Sequence, residues 1–174
     1  MTEAAIATLP PAGAMHRSID ALATVSVAIA GTALLGLVLV QAWQVVARYV
    51  LNDSPAWTEP VTLVLLSTAM SFAAAAGVHG NRHFGFFLLA ESLPPGQKRI
   101  VDAIVCAVIA SIGGVLAWDG WVLWLDGLGI RMAGAPMPES AGYLPLSIGG
   151  GLMVVFALHR LARALSARAS AQVR

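Results

Sequence analysis

The sequence predicts an all-α membrane protein: four transmembrane helices plus a short helix at the inner interface, with both termini cytoplasmic. Three features predict this fold. Charge is scarce, since 58% of the 174 residues are hydrophobic and only 11% are charged, against about a quarter charged in soluble domains. Four long runs, residues 21–47, 60–78, 103–118 and 140–158, contain no Asp, Glu, Lys or Arg. Aromatic residues gather at the ends of these runs. A helix rising about 1.5 Å per residue needs roughly 20 residues to cross about 30 Å of hydrocarbon. Spans are therefore expected at about 19–47, 60–78, 100–121 and 141–159 of a single domain, with flexible ends at 1–15 and 166–174.

The first span follows Arg17 and contains small residues, as a secretory leader does, but its uncharged run is much longer than the 7–15 residues of a leader's apolar region, so it is read as a retained helix. Gln41 and Gln44, one turn apart, are its most polar groups and can hydrogen-bond to a neighbouring helix. Between spans 1 and 2, Asn52, Asp53, Ser54 and Pro55 form a turn in which Asp53 or Ser54 can cap the next helix. Pro60 fits that helix's first turn, where its missing N–H costs nothing. Arg48 and Glu59 flank the turn, with Tyr49 and Trp57 beside them; a structural ion pair is the default reading and a partner contact the alternative. Ala73–Ala76 suits a helix interface. After span 2, Phe84, Phe86, Phe87, Leu88, Leu89 and Leu93, ended by Pro94 and Pro95, read as the interfacial helix at about 83–93. The third run is short and gains length if Lys98 and Arg99 snorkel at one end and Trp118, Trp121 and Trp124 sit at headgroup level at the other. Small residues four apart mark packing ridges on three spans: Ala28, Thr32 and Gly36; Ser67, Ser71 and Ala75 beside Ala69, Ala73 and Gly77; and Ser147 with Gly151.

Basic residues orient the chain. Arg17, Arg82, Lys98, Arg99, Arg160, Arg163, Arg168 and Arg174 fall on the side of the termini, and only Arg48 and Arg131 on the other, so by the positive-inside rule the termini are cytoplasmic. All five Trp, with Tyr49 and Tyr143, fall towards the outer ends.

Chemistry is sparse. No run has a charge near its centre, where a carrier or pump working alone keeps one. His79 and His83 share the i, i+4 spacing of metal sites, but Gly80 and Asn81 break the helix and no third ligand follows. His16 and His159 lie at the inner edges, so no mid-membrane pair exists to ligate a haem. Asp119 and Asp126, seven apart, read as a solvated rim. Cys106 is the only cysteine, which excludes an internal disulfide. No cofactor, metal or nucleic-acid site is expected.

The run Arg48-Tyr49-Val50-Leu51-Asn52-Asp53-Ser54-Pro55-Ala56-Trp57-Thr58-Glu59, then Arg82-His83-Phe84, Leu88-Leu89 and Pro94-Pro95, and finally Pro136-Met137 with Tyr143-Leu144-Pro145-Leu146, resembles the small Q-type (DctQ-like) subunit of tripartite ATP-independent periplasmic (TRAP) transporters. The resemblance covers roughly residues 17–165. It departs from the family at Gly85, Phe86 and Phe87, where charged residues are frequent, and at Pro60, which stands where a second acid often follows Glu59. It implies a multi-pass protein of the bacterial inner membrane. Its partners would be membrane lipid, a periplasmic solute-binding protein that captures an organic acid, and a large carrier subunit that moves the acid with sodium and that this chain braces. The candidate partner-interface or structural residues are Gln41, Gln44, Arg48, Tyr49, Trp57, Glu59, Arg82 and His83. Two other classes compete: a self-sufficient small exporter acting as a dimer, and a membrane-embedded enzyme, which lacks a cysteine pair, a mid-membrane histidine pair and a metal-binding carboxylate motif.

Overall fold

A computed structural model describes residues 14–80 and 95–171. The described residues are helical apart from short connections. Helix α1 is Ala14–Tyr49, α2 is Thr58–His79, α3 is Pro95–Asp126 and α4 is Leu144–Ala171. Two single-turn 3-10 helices, Gly127–Gly129 and Glu139–Gly142, lie between α3 and α4. Each long helix has a stretch long and apolar enough to cross a membrane, so the all-α membrane fold is as predicted. The third candidate span runs Ile100–Gly129 and takes in Trp118, Trp121 and Trp124 together with Asp102, Asp119 and Asp126. Residues 166–171, expected within a flexible end, continue α4, a run of Ala, Ser and Arg with good helix formers. The expected interfacial helix at 83–93 lies outside the described residues.

The helices stand in a row. The main seams join α1 to α2, α2 to α4, and α4 to α3. The end where α1 starts and α4 finishes is called the base here, and the opposite end the top.

The α1 seam is written in its sequence. Ile19, Ala23, Ser26, Ala30 and Ala33 are buried, Leu37, Val40 and Gln44 are half-buried, and Ala47 is buried. These positions alternate steps of four and three residues, the 3.5-residue period of helices crossing at about 20°. At the base, Ile19 and Ala23 join Ala75 and Val78 of α2 and Phe156 and Ala157 of α4 in one apolar cluster. Four hydroxyls inside the spans are satisfied within their own helix: Ser26, Thr32, Thr68 and Ser111 each donate to the carbonyl four residues back. Lipid offers such groups no water, so this bond removes their desolvation cost.

α4 is the central pillar, and consecutive glycines let it approach two neighbours at once. A Cβ on Gly149 would lie 2.6 Å from the Cβ of Ser71 on α2, and one on Gly150 would lie 2.6 Å from the backbone N of Ala117 on α3. Along α3 and into the 3-10 turn that follows it, Gly113, Gly120 and Gly127 recur every seven residues and meet Gly150, Ser147 and Ser140 in turn. This ridge was not anticipated from the sequence, and it explains why the third span packs without large side chains at its seam. The anticipated pairing of Ser147 with Gly151 is corrected: Ser147 faces α3, where its Oγ donates to the Ala117 carbonyl at 2.9 Å, while a Cβ on Gly151 would meet nothing within 4 Å. The proposed ridge Ala28, Thr32 and Gly36 packs within the chain at one position. Ala28 and Thr32 are exposed, and only Gly36 packs, against Leu65.

The top is closed by the α3–α4 connection. Arg131 and Pro138 form a bridge, with Met132 N donating to Met137 O and Glu139 N to Ile130 O. At its tip Gly134 has φ +85°, and its missing Cβ makes room for the Ala56 carbonyl of the α1–α2 turn. Ser67 of α2 donates to the Gly142 carbonyl at 2.7 Å. The two top connections are thus held together.

Candidate functional site

The α1–α2 turn gathers most of the residues singled out in the sequence. Arg48 closes α1 and Glu59 opens α2, with residues 50–57 between them. Asn52 takes the left-handed conformation, φ 55°, which asparagine tolerates in tight turns. The helix cap is not Asp53 or Ser54 as expected. Trp57 is the capping residue and has no side-chain cap bond, while the Thr58 hydroxyl donates back to the Pro55 carbonyl at 2.8 Å. Thr58 is fully buried, so this bond fixes the entry of α2 in place of an aspartate or serine cap. Pro60 lies in the first turn as predicted and is buried.

Arg48 and Glu59 are both exposed, and no ion pair among the described residues joins them. The default reading of an internal pair is therefore not what the structure holds. Around them Tyr49 is 78% exposed, and Val50, Leu51 and Trp57 are also exposed. The top of α1 and α2 thus presents charge and aromatic surface side by side. Across the top, Trp121 and Trp124 pack with ring centroids 4.7 Å apart.

Gln44 lies half-buried on the α1–α2 seam, whereas Gln41, one turn earlier, is exposed. Neither amide hydrogen-bonds to another helix among the described residues. Arg82 and His83 lie outside the described residues.

The base contains a polar contact that the sequence reading passed over. His79 Nε2 lies 3.0 Å from Asp20 Oδ1, and the imidazole leans on the Phe156 ring at a centroid distance of 5.4 Å. His79 is thereby engaged by α1 and α4, an arrangement unlike the metal pairing considered with His83. Nearby, Arg160 donates to the Val78 carbonyl at 3.2 Å, covering a free carbonyl at the end of α2. The available signal was positional. Asp20 and His79 are the polar residues that end two uncharged runs at the same side of adjacent antiparallel spans. Among the described residues no cluster of three or more His, Cys, Asp or Glu side chains forms.

The exposed aromatic and charged groups at the top are the most prominent surface feature among the described residues. Comparison with known families gives their context. Residues 37–167, more than half of the chain, match the model of the DctQ component of tripartite ATP-independent periplasmic transporters. The chain belongs to the DctQ family. This is a family of transporter components and not of enzymes, and its members work with a large carrier subunit and a periplasmic binding protein. A search of curated proteins returns no match.

Proposed function

We propose that this chain braces the large carrier subunit of a TRAP transporter in the bacterial inner membrane, in sodium-coupled uptake of an organic acid delivered by a periplasmic binding protein. The observation that carries this reading is the open row of helices, joined α1 to α2, α2 to α4 and α4 to α3. Only 11% to 28% of each span's apolar stretch is buried within the chain. A compact bundle working alone hides far more of its helix surface; a row leaves two broad apolar faces for a large membrane partner. Arg48, Tyr49, Trp57 and Glu59, exposed at the top and not engaged with one another in ion pairs, are placed to meet a soluble partner. The test is co-purification: an affinity-tagged chain extracted in mild detergent should bring down the large subunit. Recovery only as a homodimer would revive the small-exporter reading.

In this assignment the base faces the cytoplasm, as the basic residues there favour. A cysteine introduced at Ser54 should react with an impermeant maleimide from outside, and one at Ser170 only after the membrane is opened. The Cys106→Ser background removes the single native thiol. Equal labelling of both positions in intact cells would reject the orientation.

A further inference from the structure

We propose that the outer edge of α3 docks on a transmembrane helix of the large subunit, and that a lysine or arginine of that helix pairs with Asp119 within the membrane. The partner's identity rests on the bracing role proposed above. That a cation is required follows from the depth of Asp119 and from what surrounds it. On α2, Glu59 and His79 bound the uncharged run 60–78 and stand about 30 Å apart at 1.5 Å per residue, one hydrocarbon thickness. Gly149 of α4 meets Ser71 of α2, and Gly120 of α3 meets Ser147, two residues nearer the top than Gly149. Asp119, one residue nearer the base than Gly120, is therefore level with Met70 of α2, about 15 Å from the height of Glu59 and about as far from that of His79.

The uncharged run of α3 ends at Trp118, so α3 alone would put Asp119 at the outer interface, on the solvated rim expected from the sequence. The neighbouring helices argue otherwise. A boundary at Asp119 would set a core of about 30 Å reaching about 15 Å past His79. That core would enclose His79 and Asp20, 3.0 Å apart, Arg160, bonded to Val78, Arg17, one turn below Asp20, and Asp102 of α3. A boundary at Glu59 encloses Asp119 at mid-depth and leaves Asp126, seven residues on, within about 5 Å of the outer boundary at 1.5 Å per residue. Enclosing one acidic residue costs less than enclosing four charged ones and a histidine.

Asp119 is exposed and shares a helical face with Ile112, Val115 and Val122, which are exposed as well. Among the described residues no ion pair or hydrogen bond engages its carboxylate. An acyl chain offers a carboxylate nothing, and an aspartate is too short to snorkel to a headgroup about 15 Å away. A second copy of this chain does not supply the cation either. Its basic residues fall towards the base, except Arg48 and Arg131 at the top, and two copies meeting on this edge would bring Asp119 against Asp119. The remaining source is a basic side chain at mid-depth on a different membrane protein, where the carboxylate in turn offsets the cost of burying the cation. Asp119 does not line the groove of about 730 Å³ between α1 and α2. A lone carboxylate on the outer edge of the row is a docking group and forms no conduction path by itself.

The test is co-purification of the large subunit with the tagged full chain, read as the ratio of the two proteins. Asp119→Asn keeps the shape and removes the charge; it should lower that ratio by about ten-fold or more, as loss of one partner of a desolvated charge pair does. Asp119→Glu should retain most of the large subunit, and Asp126→Asn, nearer the outer boundary, should leave the ratio unchanged. An unchanged ratio in Asp119→Asn would overturn the pairing and leave the bracing role intact, whereas a wild type that recovers no large subunit would overturn both. Two further measurements keep the native pairing or the native depth in view. With Asp119 intact, a benzophenone side chain at Val115 should cross-link to the large subunit; cross-links to a second copy of this chain instead would overturn the proposal. In the Cys106→Ser background, Asp119→Cys should resist an impermeant maleimide from outside under conditions that label Ser54→Cys. Equal labelling of the two would put residue 119 at the water interface and overturn the proposal as well.

Discussion

Gly150→Ala is expected to destabilise the helix row by about 2 kcal/mol, within the 1–3 kcal/mol typical of overpacking, while Gly151→Ala, one residue on, is expected to be neutral or mildly stabilising. Both substitutions replace glycine inside the same helix, where alanine is intrinsically better by about 1 kcal/mol. Their surroundings differ. The new methyl at 150 would lie 2.6 Å from Ala117 N and 2.7 Å from Gly113 O, both backbone atoms that no rotamer change can move aside. Relief requires α3 and α4 to separate. That separation lengthens the 2.9 Å bond from Ser147 to Ala117 and loosens the contacts of Gly120 and Gly127 along the same ridge. At 151 the methyl enters open space. Circular dichroism during titration with a denaturing detergent measures both variants against the wild type. Equal midpoints for the two would mean that α3 and α4 are not held by this close approach.

How far this architecture was readable depends on which physical signal each part uses. The four spans were legible because burial in lipid excludes charge over some 20 residues, and the uncharged runs ending at Asp20, Arg48, His79 and Asp119 report that directly. The seams were only half legible. In a membrane, exposed and buried positions are both apolar, so polarity does not distinguish Ala28, which is exposed, from Ala30, which is buried. The remaining signal is residue size at a seven-residue period. Gly113, Gly120 and Gly127 display it, but a search at four-residue spacing does not detect it. The top was misread for a different reason. Arg48 and Glu59 flank a turn and so look like a pair, yet turn geometry set by Asn52 and the Thr58 hydroxyl decides where the side chains go. The Asp20–His79 contact joins residues 59 apart and needed knowledge of which spans are neighbours.

Liposomes containing this chain alone should show no sodium-dependent uptake of organic acids, whereas liposomes containing it with its large subunit and the solute-loaded binding protein should accumulate them. The expected difference is that between background and full activity. Moving a carboxylate or sodium through a bilayer requires charged or broken-helix groups near the midplane, because an isolated charge there costs several kcal/mol. α1, α2, α3 and α4 each pass through the middle of their spans as unbroken helices. The second cavity, about 310 Å³ between α2, α3 and α4, is lined by Ser67, Ser71, Met70, Leu116, Leu146 and Met153 among others, with no ionisable side chain. Its serine hydroxyls are too few to replace an ion's hydration shell, and Ser67 is already bonded to Gly142. The acidic and basic residues that α1 and α4 do contain fall towards the ends: Arg17, Asp20, Arg160, Arg163 and Arg168 at the base, Arg48 at the top. In the proposed bracing role, a chain built this way offers apolar faces to a partner that supplies the transport path. Gradient-driven uptake by the chain alone would overturn the bracing role, and full uptake by the large subunit without this chain would show that the brace is dispensable.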